Sequence, residues 1–185
     1  MKEVETRSFI SDKEYEELLY KMNEKAEKIK EDKQVTYYFT GEKDLRIQKN
    51  KKFSKLWLKE GKIHEDNREE IEVEFNKEDF KELEKLLKSL GYEVEIKWYR
   101  KRHKFNWKGL TVCIDQTPGY GKIIEIEKMC EEEEDHEKIQ KNLESALEEL
   151  EIEKTSNKKF EEKYSQYKKN WEKILSDKDL EEFKV

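Results

Sequence analysis

From about residue 34 to residue 75, and again from 93 to 127, apolar and charged residues alternate almost one for one. A period of two is the signature of a β-strand with unlike faces, because successive side chains leave the pleat on opposite sides. The stretches "VTYYF", "DLRIQ", "SKLWLK" and "REEIEVEF" carry it first, with turn signals at Gly41-Glu42 and Gly61-Lys62 between them. "EVEIKWYRKRHKF", "LTVCID" and "KIIEIE" repeat it, joined through "NWKG" and "QTPGYG", and the opening "EVETR" makes an eighth strand. Connections this short predict antiparallel pairing.

Helical spacing occupies the remainder. Ser11 with Glu14 reads as a capping box, followed by Tyr15, Leu18, Leu19, Met22, Ala26 and Ile29. Asn76 opens a second helix with Phe80, Leu83, Leu87 and Leu90, and Gly91 stops it. A third carries Ile139, Leu143, Ala146 and Leu150, and a helical tail over 156–185 turns Phe160, Tyr164, Tyr167, Trp171 and Leu175 inward. With one proline and six glycines there is no linker, so residues 1–185 are expected to form one domain. The expected class is α+β, an eight-stranded antiparallel β-barrel (a tunnel) with helices packed on its outside.

Composition narrows the functional classes. Charged residues at 46% would permit disorder, but 11% aromatic residues and sustained periodicity argue for a packed core. A net charge of −6 argues against a nucleic-acid coat or a membrane-surface protein. Cys113 and Cys130 have no disulfide or zinc spacing, and with no signal-like or long apolar run a cytoplasmic location is expected. His64, His103 and His136 share no metal spacing and read as surface residues. The basic cluster "YRKRHK" could suggest RNA, but Arg100, Arg102 and Lys104 fall on one strand face, as a phosphate clamp requires.

Sorting every strand by parity separates two faces. Leu45 and Ile47 oppose Arg46 and Gln48; Ile71 and Val73 oppose Glu70 and Glu72; Ile124 and Ile126 oppose Glu125 and Glu127. The helices need apolar partners, which leaves the charged faces for the interior. Glu3, Glu5, Glu70, Glu72, Asp115, Glu125 and Glu127 would meet Arg7, Arg46, Lys59, Arg68, Arg100 and Arg102 there. The alternative is an open sheet whose charged face simply meets water. Segregation of acids and bases by strand favours a chemical use. Guanidinium and ammonium groups clamp phosphate oxygens, and carboxylates hold Mg²⁺ or Mn²⁺ that bridge to them.

These residues resemble the CYTH domain, also called the triphosphate tunnel metalloenzyme fold. "EVETR" is similar to its ExExK opening, "YYF…DLRIQ" and "LWLK…REEIEV" to its next strands, "YRKRHKF" to its basic strand, and "VCIDQTPGYGKIIEIE" to its closing segment. "KYSQY" is similar to the segment that follows, so the resemblance runs from about residue 2 to 170 in order. It implies a tunnel where divalent metal meets triphosphate, as in class IV adenylyl cyclases, thiamine triphosphatases and inorganic triphosphatases. It implies Glu3, Glu5, Asp115, Glu125 and Glu127 on the metal side, and Arg46, Lys59, Arg68, Arg100 and Arg102 on phosphate. Glu70 and Glu72 would lie on the metal side or orient arginines. Three departures stand out: Arg7 replaces the usual lysine and cannot act as a base, Gln48 replaces a second arginine, and Thr36 replaces the aspartate of cyclases.

The expected function is therefore a Mg²⁺- or Mn²⁺-dependent enzyme of ATP, thiamine triphosphate or inorganic triphosphate, hydrolysing it or cyclising a nucleotide, with Arg7, Glu70 and Glu72 closest to the chemistry. A non-catalytic polyphosphate-binding domain of the same fold is the alternative. Neither nucleic acid nor membrane is expected as a partner, and the chain is expected as a monomer or homodimer.

Overall fold

A computed structural model describes residues 2–59, 70–131, 135–183 and 185. Its strands are β1 (Lys2–Ile10), β2 (Glu27–Phe39), β3 (Asp44–Lys49), β4 (Ser54–Lys59), β5 (Glu70–Phe75), β6 (Val94–Trp107), β7 (Leu110–Thr117) and β8 (Gly121–Cys130). The helices are α1 (Asp12–Lys25), α2 (Phe80–Ser89), α3 (His136–Glu149), α4 (Asn157–Ile174) and α5 (Asp177–Glu182). All eight strands join one antiparallel sheet in the order β1-β8-β7-β6-β2-β3-β4-β5. Among the described residues no helix is long and apolar enough to cross a membrane.

Parity assigns the two faces as the alternation predicts. On the convex face Val4, Phe105, Val112, Ile114, Ile124 and Ile126 pack against Tyr15, Leu18 and Met22 of α1 and Ile139, Leu143 and Leu147 of α3. Further along the sheet, Ile47 and Phe39 pack against Phe80 and Leu87 of α2. The Ser11–Glu14 capping box starts α1, and the Ser156 side chain caps α4.

The concave face holds the charged rows. The sheet curves so strongly that Lys59 of β4, seventh in the strand order, acts electrostatically on Glu3 and Glu5 of β1, the first. Among the described residues no ladder joins β1 to β5, so the sheet is a deep trough rather than a hydrogen-bonded barrel. Closure would set Glu72 and Glu74, on the inner row of β5, towards Glu3 and Glu5, and like charges across a ladder destabilise it.

Other expectations need correction. The helical pattern to Ile29 stops at Lys25, because β2 starts at Glu27 and its polar first half pairs with β6. Ile71 and Val73, expected beneath a helix, are each 55% exposed, since the α2 cluster reaches β5 only at Phe75. His103 is buried, beneath Tyr15 and 3.6 Å from Glu31, and burial lowers its pKa. His64, Arg68 and the Gly61-Lys62 turn lie outside the described residues. Not every helix lies outside the sheet either. Phe160 and Tyr167 of α4 pack on Tyr38, Ile96, Trp98, Tyr120 and Ile123, at an apolar end of the concave face. The Tyr167 hydroxyl donates to Lys97 O (3.2 Å) and the Trp171 indole N–H to Glu95 O (3.0 Å), so α4 is bonded to the start of β6.

Gly119, in the β7–β8 turn, has φ +74°, and a Cβ there would run into the Ile174 side chain of α4. Gly119→Ala should therefore cost about 1–3 kcal/mol of stability in urea unfolding, as overpacking does, and should accelerate amide exchange selectively in α4. Unchanged stability and exchange would show that α4 is not seated on this turn.

Candidate functional site

The trough encloses a cavity of about 300 Å³ between an acidic wall and a basic one. Alternation along β1 and β8 builds the acidic wall. Glu5 lies directly across the ladder from Glu127, and Arg7 across from Glu125. The Glu127 carboxyl acts on Glu3 from across the wall, and Lys104 Nζ donates to Glu127 Oε1 at 3.0 Å. Burial first and Glu127 next push the Glu3 pKa up to about 8. Glu5 is also raised, by burial and then by Glu125, against the pull of Arg7 (3.5 Å) and Lys59.

Glu125 behaves oppositely. Burial alone would raise it, but Arg102, Arg100 and Arg7 bring its pKa down to about 2. Arg102 grips Asp115 with Nε (2.9 Å) and Nη2 (2.6 Å) and also contacts Glu125. Burial disfavours the Arg102 charge, yet Asp115 and Glu125 raise its pKa overall. Asp115 is itself fully buried and does not line the cavity, so it sits where it orients Arg102, with Arg100 Nε 3.5 Å away.

The basic wall comes from β6, β3 and β4: Arg100, Arg102 and Lys104, then Arg46, then Lys55 and Lys59. Arg46 is bidentate to Asp44 (2.6 and 2.5 Å) and lies over the Tyr38 ring at 4.2 Å. Arg7 lines the same cavity from β1, over Phe160 at 4.7 Å. Between the charged groups lies a neutral patch, where the Gln48 amide donates to Thr36 (2.9 Å) and Gln34 (3.1 Å).

The cavity therefore brings together Glu3, Glu5, Glu125, Glu127, Arg7, Arg46, Lys59, Arg100 and Arg102 from the sequence-based set. Asp115 stands behind it, and Glu72 stands beside it, bonded to Lys55 at 2.6 Å. The Glu70 backbone pairs with Lys59; its side chain, like Arg68, lies outside the described residues. Sequence reasoning missed Lys55, Trp57 and the α4 residue Tyr164. Parity with Lys59 in "SKLWLK" was the available signal for the first two, whereas nothing local signals that α4 lies on the concave side.

A divalent ion can be tested against these residues. Among the described residues no three His, Cys, Asp or Glu side chains gather closely enough to form a ready-made site. The donor type nevertheless fits, because Glu3, Glu5 and Glu127 supply only carboxylate oxygens, the hard ligands that Mg²⁺ and Mn²⁺ take. The charge fits too: burial and the neighbouring acids Glu127 and Glu125 raise Glu3 and Glu5, and a cation beside them would favour their charged forms. The three side chains would have to converge further to bind one ion.

A family model of the CYTH domain matches residues 1–160. The fold is similar to a solved Pyrococcus horikoshii OT3 protein, with 30% identity and a TM-score of 0.68 over 82% of this chain and 92% of that one. A conserved hypothetical protein of Pyrococcus furiosus has 26% identity and a TM-score of 0.68, over 82% and 91%. A Hippeastrum protein, proposed as an adenylyl cyclase and found to have a dominant triphosphatase activity, has 22% identity and a TM-score of 0.64, over 89% and 95%, a likeness of fold alone. Comparison with curated proteins finds no match.

The acidic wall makes stability depend on pH. An acid with a pKa of about 8 in the fold, against 4.5 otherwise, keeps a proton in that window that the unfolded chain has released. Stability should therefore fall as pH rises from 4.5 to about 8. Thermal unfolding in a chelator should show this slope, and Mg²⁺ or Glu3→Gln should flatten it. A slope unchanged in Glu3→Gln would place the titrating group elsewhere.

Proposed function

The chain belongs to the CYTH domain family, and on that premise we propose that it is a divalent-metal-dependent triphosphatase, transferring the terminal phosphoryl group of a triphosphate to water. The observation that carries this reading is the pairing, in one cavity, of incompletely offset carboxylates with an opposing row of cations. A triphosphate with its metal ion presents both complementary charges at once.

In this reading Glu3, Glu5 and Glu127 hold Mg²⁺ or Mn²⁺, and Arg46, Lys55, Lys59, Arg100 and Lys104 hold phosphate oxygens. Bound by these carboxylates, such an ion would supply positive charge to offset that of the phosphates. Asp115 and Glu125 keep Arg102 oriented, and Glu72 does the same for Lys55. A water oxygen attacks the terminal phosphorus, the bond from that phosphorus to the bridging oxygen breaks, and the electron pair leaves with diphosphate. Both water protons depart on the orthophosphate, which leaves as dihydrogen phosphate. A loose transition state of this kind asks for position and charge stabilisation more than for a base. Arg7, always protonated, suits that demand, so its place in the usual lysine position does not block hydrolysis. Cyclisation would also need polar groups to grip a ribose, and Gln34 and Thr36 already accept from the Gln48 amide.

Incubation with inorganic triphosphate and Mg²⁺ or Mn²⁺ should release orthophosphate and diphosphate, and a chelator should stop it. Arg100→Ala and Lys59→Ala should each lower kcat/KM by about 10²–10³-fold, the size typical of a lost transition-state contact. Bound triphosphate recovered intact would favour the non-catalytic binding domain, and a cyclic nucleotide formed from ATP would favour a cyclase.

A further inference from the structure

The basic wall contains one aromatic side chain surrounded by its cations. Lys55, Trp57 and Lys59 alternate onto the concave face of β4, and Trp57 stands directly across the ladder from Arg46 of β3. All three cations reach the indole ring. Lys55 Nζ lies 3.9 Å from a ring centroid, Lys59 Nζ 5.4 Å and Arg46 Cζ 5.5 Å. Each is within about 6 Å, where the negative face of the ring attracts a cation. The indole N–H is buried and has no acceptor among the described residues, so no hydrogen bond fixes the ring.

Three positive groups on adjacent strands repel one another. A carboxylate at their centre would relieve the repulsion but also cancel the charge that phosphate needs. An indole relieves it through its quadrupole and adds no net charge. Asp44 bonds Arg46 and faces Lys59 across the β3–β4 ladder, and Glu72 bonds Lys55, but Trp57 is the side chain that the three cations share.

We infer that Trp57 is a positioning residue: it holds Arg46, Lys55 and Lys59 together as one cationic surface that several consecutive phosphates can engage at once, and so favours triphosphate over shorter phosphates. The inference rests on the triphosphatase reading for the identity of the ligand. Its geometric part does not, because the cations surround the ring whatever binds.

Two variants separate the possibilities. Trp57→Leu removes the π face, and Trp57→Phe keeps one. In the full chain with Mg²⁺, calorimetry should show triphosphate binding weakened about tenfold in Trp57→Leu, the cost of losing more than one cation–π contact, with KM rising and kcat nearly unchanged. Orthophosphate binding should change much less, and Trp57→Phe should recover most of the triphosphate affinity. Independently of any ligand, the Lys55 ε-methylene protons should show an aromatic ring-current shift by NMR in the parent and Trp57→Phe proteins, lost in Trp57→Leu. Equal triphosphate affinity in parent and folded Trp57→Leu would overturn the inference, as would a Trp57→Phe no better than Trp57→Leu. No triphosphate binding by the parent would overturn the triphosphatase reading and the preference drawn from it. The ring-current result would still decide whether Trp57 holds the cations.

Discussion

Carboxylates that share a partly desolvated wall cannot all keep their charge unless positive charge joins them. The arrangement of this sheet follows from how that demand is met. Where an arginine is available the answer is internal: Arg102 binds Asp115 and Glu125, and the Glu125 pKa falls to about 2. At Glu3 and Glu5 the nearby cations, Lys59 and for Glu5 also Arg7, do not outweigh burial and the neighbouring acids, and the pKa moves upward. The difference between the two halves of one wall marks where a cation from outside would be stabilised most.

Keeping such a wall in place takes a rigid support. Its opposite face supplies one, since the residues alternating with the acids, Val4, Ile124 and Ile126, are buried beneath α1 and α3. The ladder that fixes the packing also fixes the charges, because shifting β1 or β8 by one residue would exchange core for cavity. α4 closes the apolar end of the trough through Phe160 and Tyr167, and Gly119 gives it room. Charges preorganised in this way need little rearrangement when charge develops on a substrate, which is the main source of catalysis in phosphoryl transfer.

Much of this is legible in the chain itself. Strand parity separates Glu125 and Glu127 from Ile124 and Ile126 before any contact is known, and the Ser11–Glu14 box marks the start of α1. Legibility fails where long-range pairing decides. "EKIKEDK" looks helical or irregular, yet it forms strand because β6 supplies the ladder. His103 shares its strand with cavity cations but faces the other way, under Tyr15. The partnership of Asp115 with Arg102 depends on the register of β6 against β7, which no local spacing reveals. The concave position of α4 is equally hidden, because its aromatic stripe would suit either face.

The central claim is that the acidic and basic walls act together on one metal–triphosphate unit. Mn²⁺ binding followed by electron paramagnetic resonance, with and without a non-hydrolysable triphosphate, tests this most directly. The account predicts that triphosphate tightens Mn²⁺ binding, and that the gain disappears both in Glu3→Gln, on the acidic wall, and in Lys59→Ala, on the basic wall. Mn²⁺ affinity that is indifferent to triphosphate would contradict it.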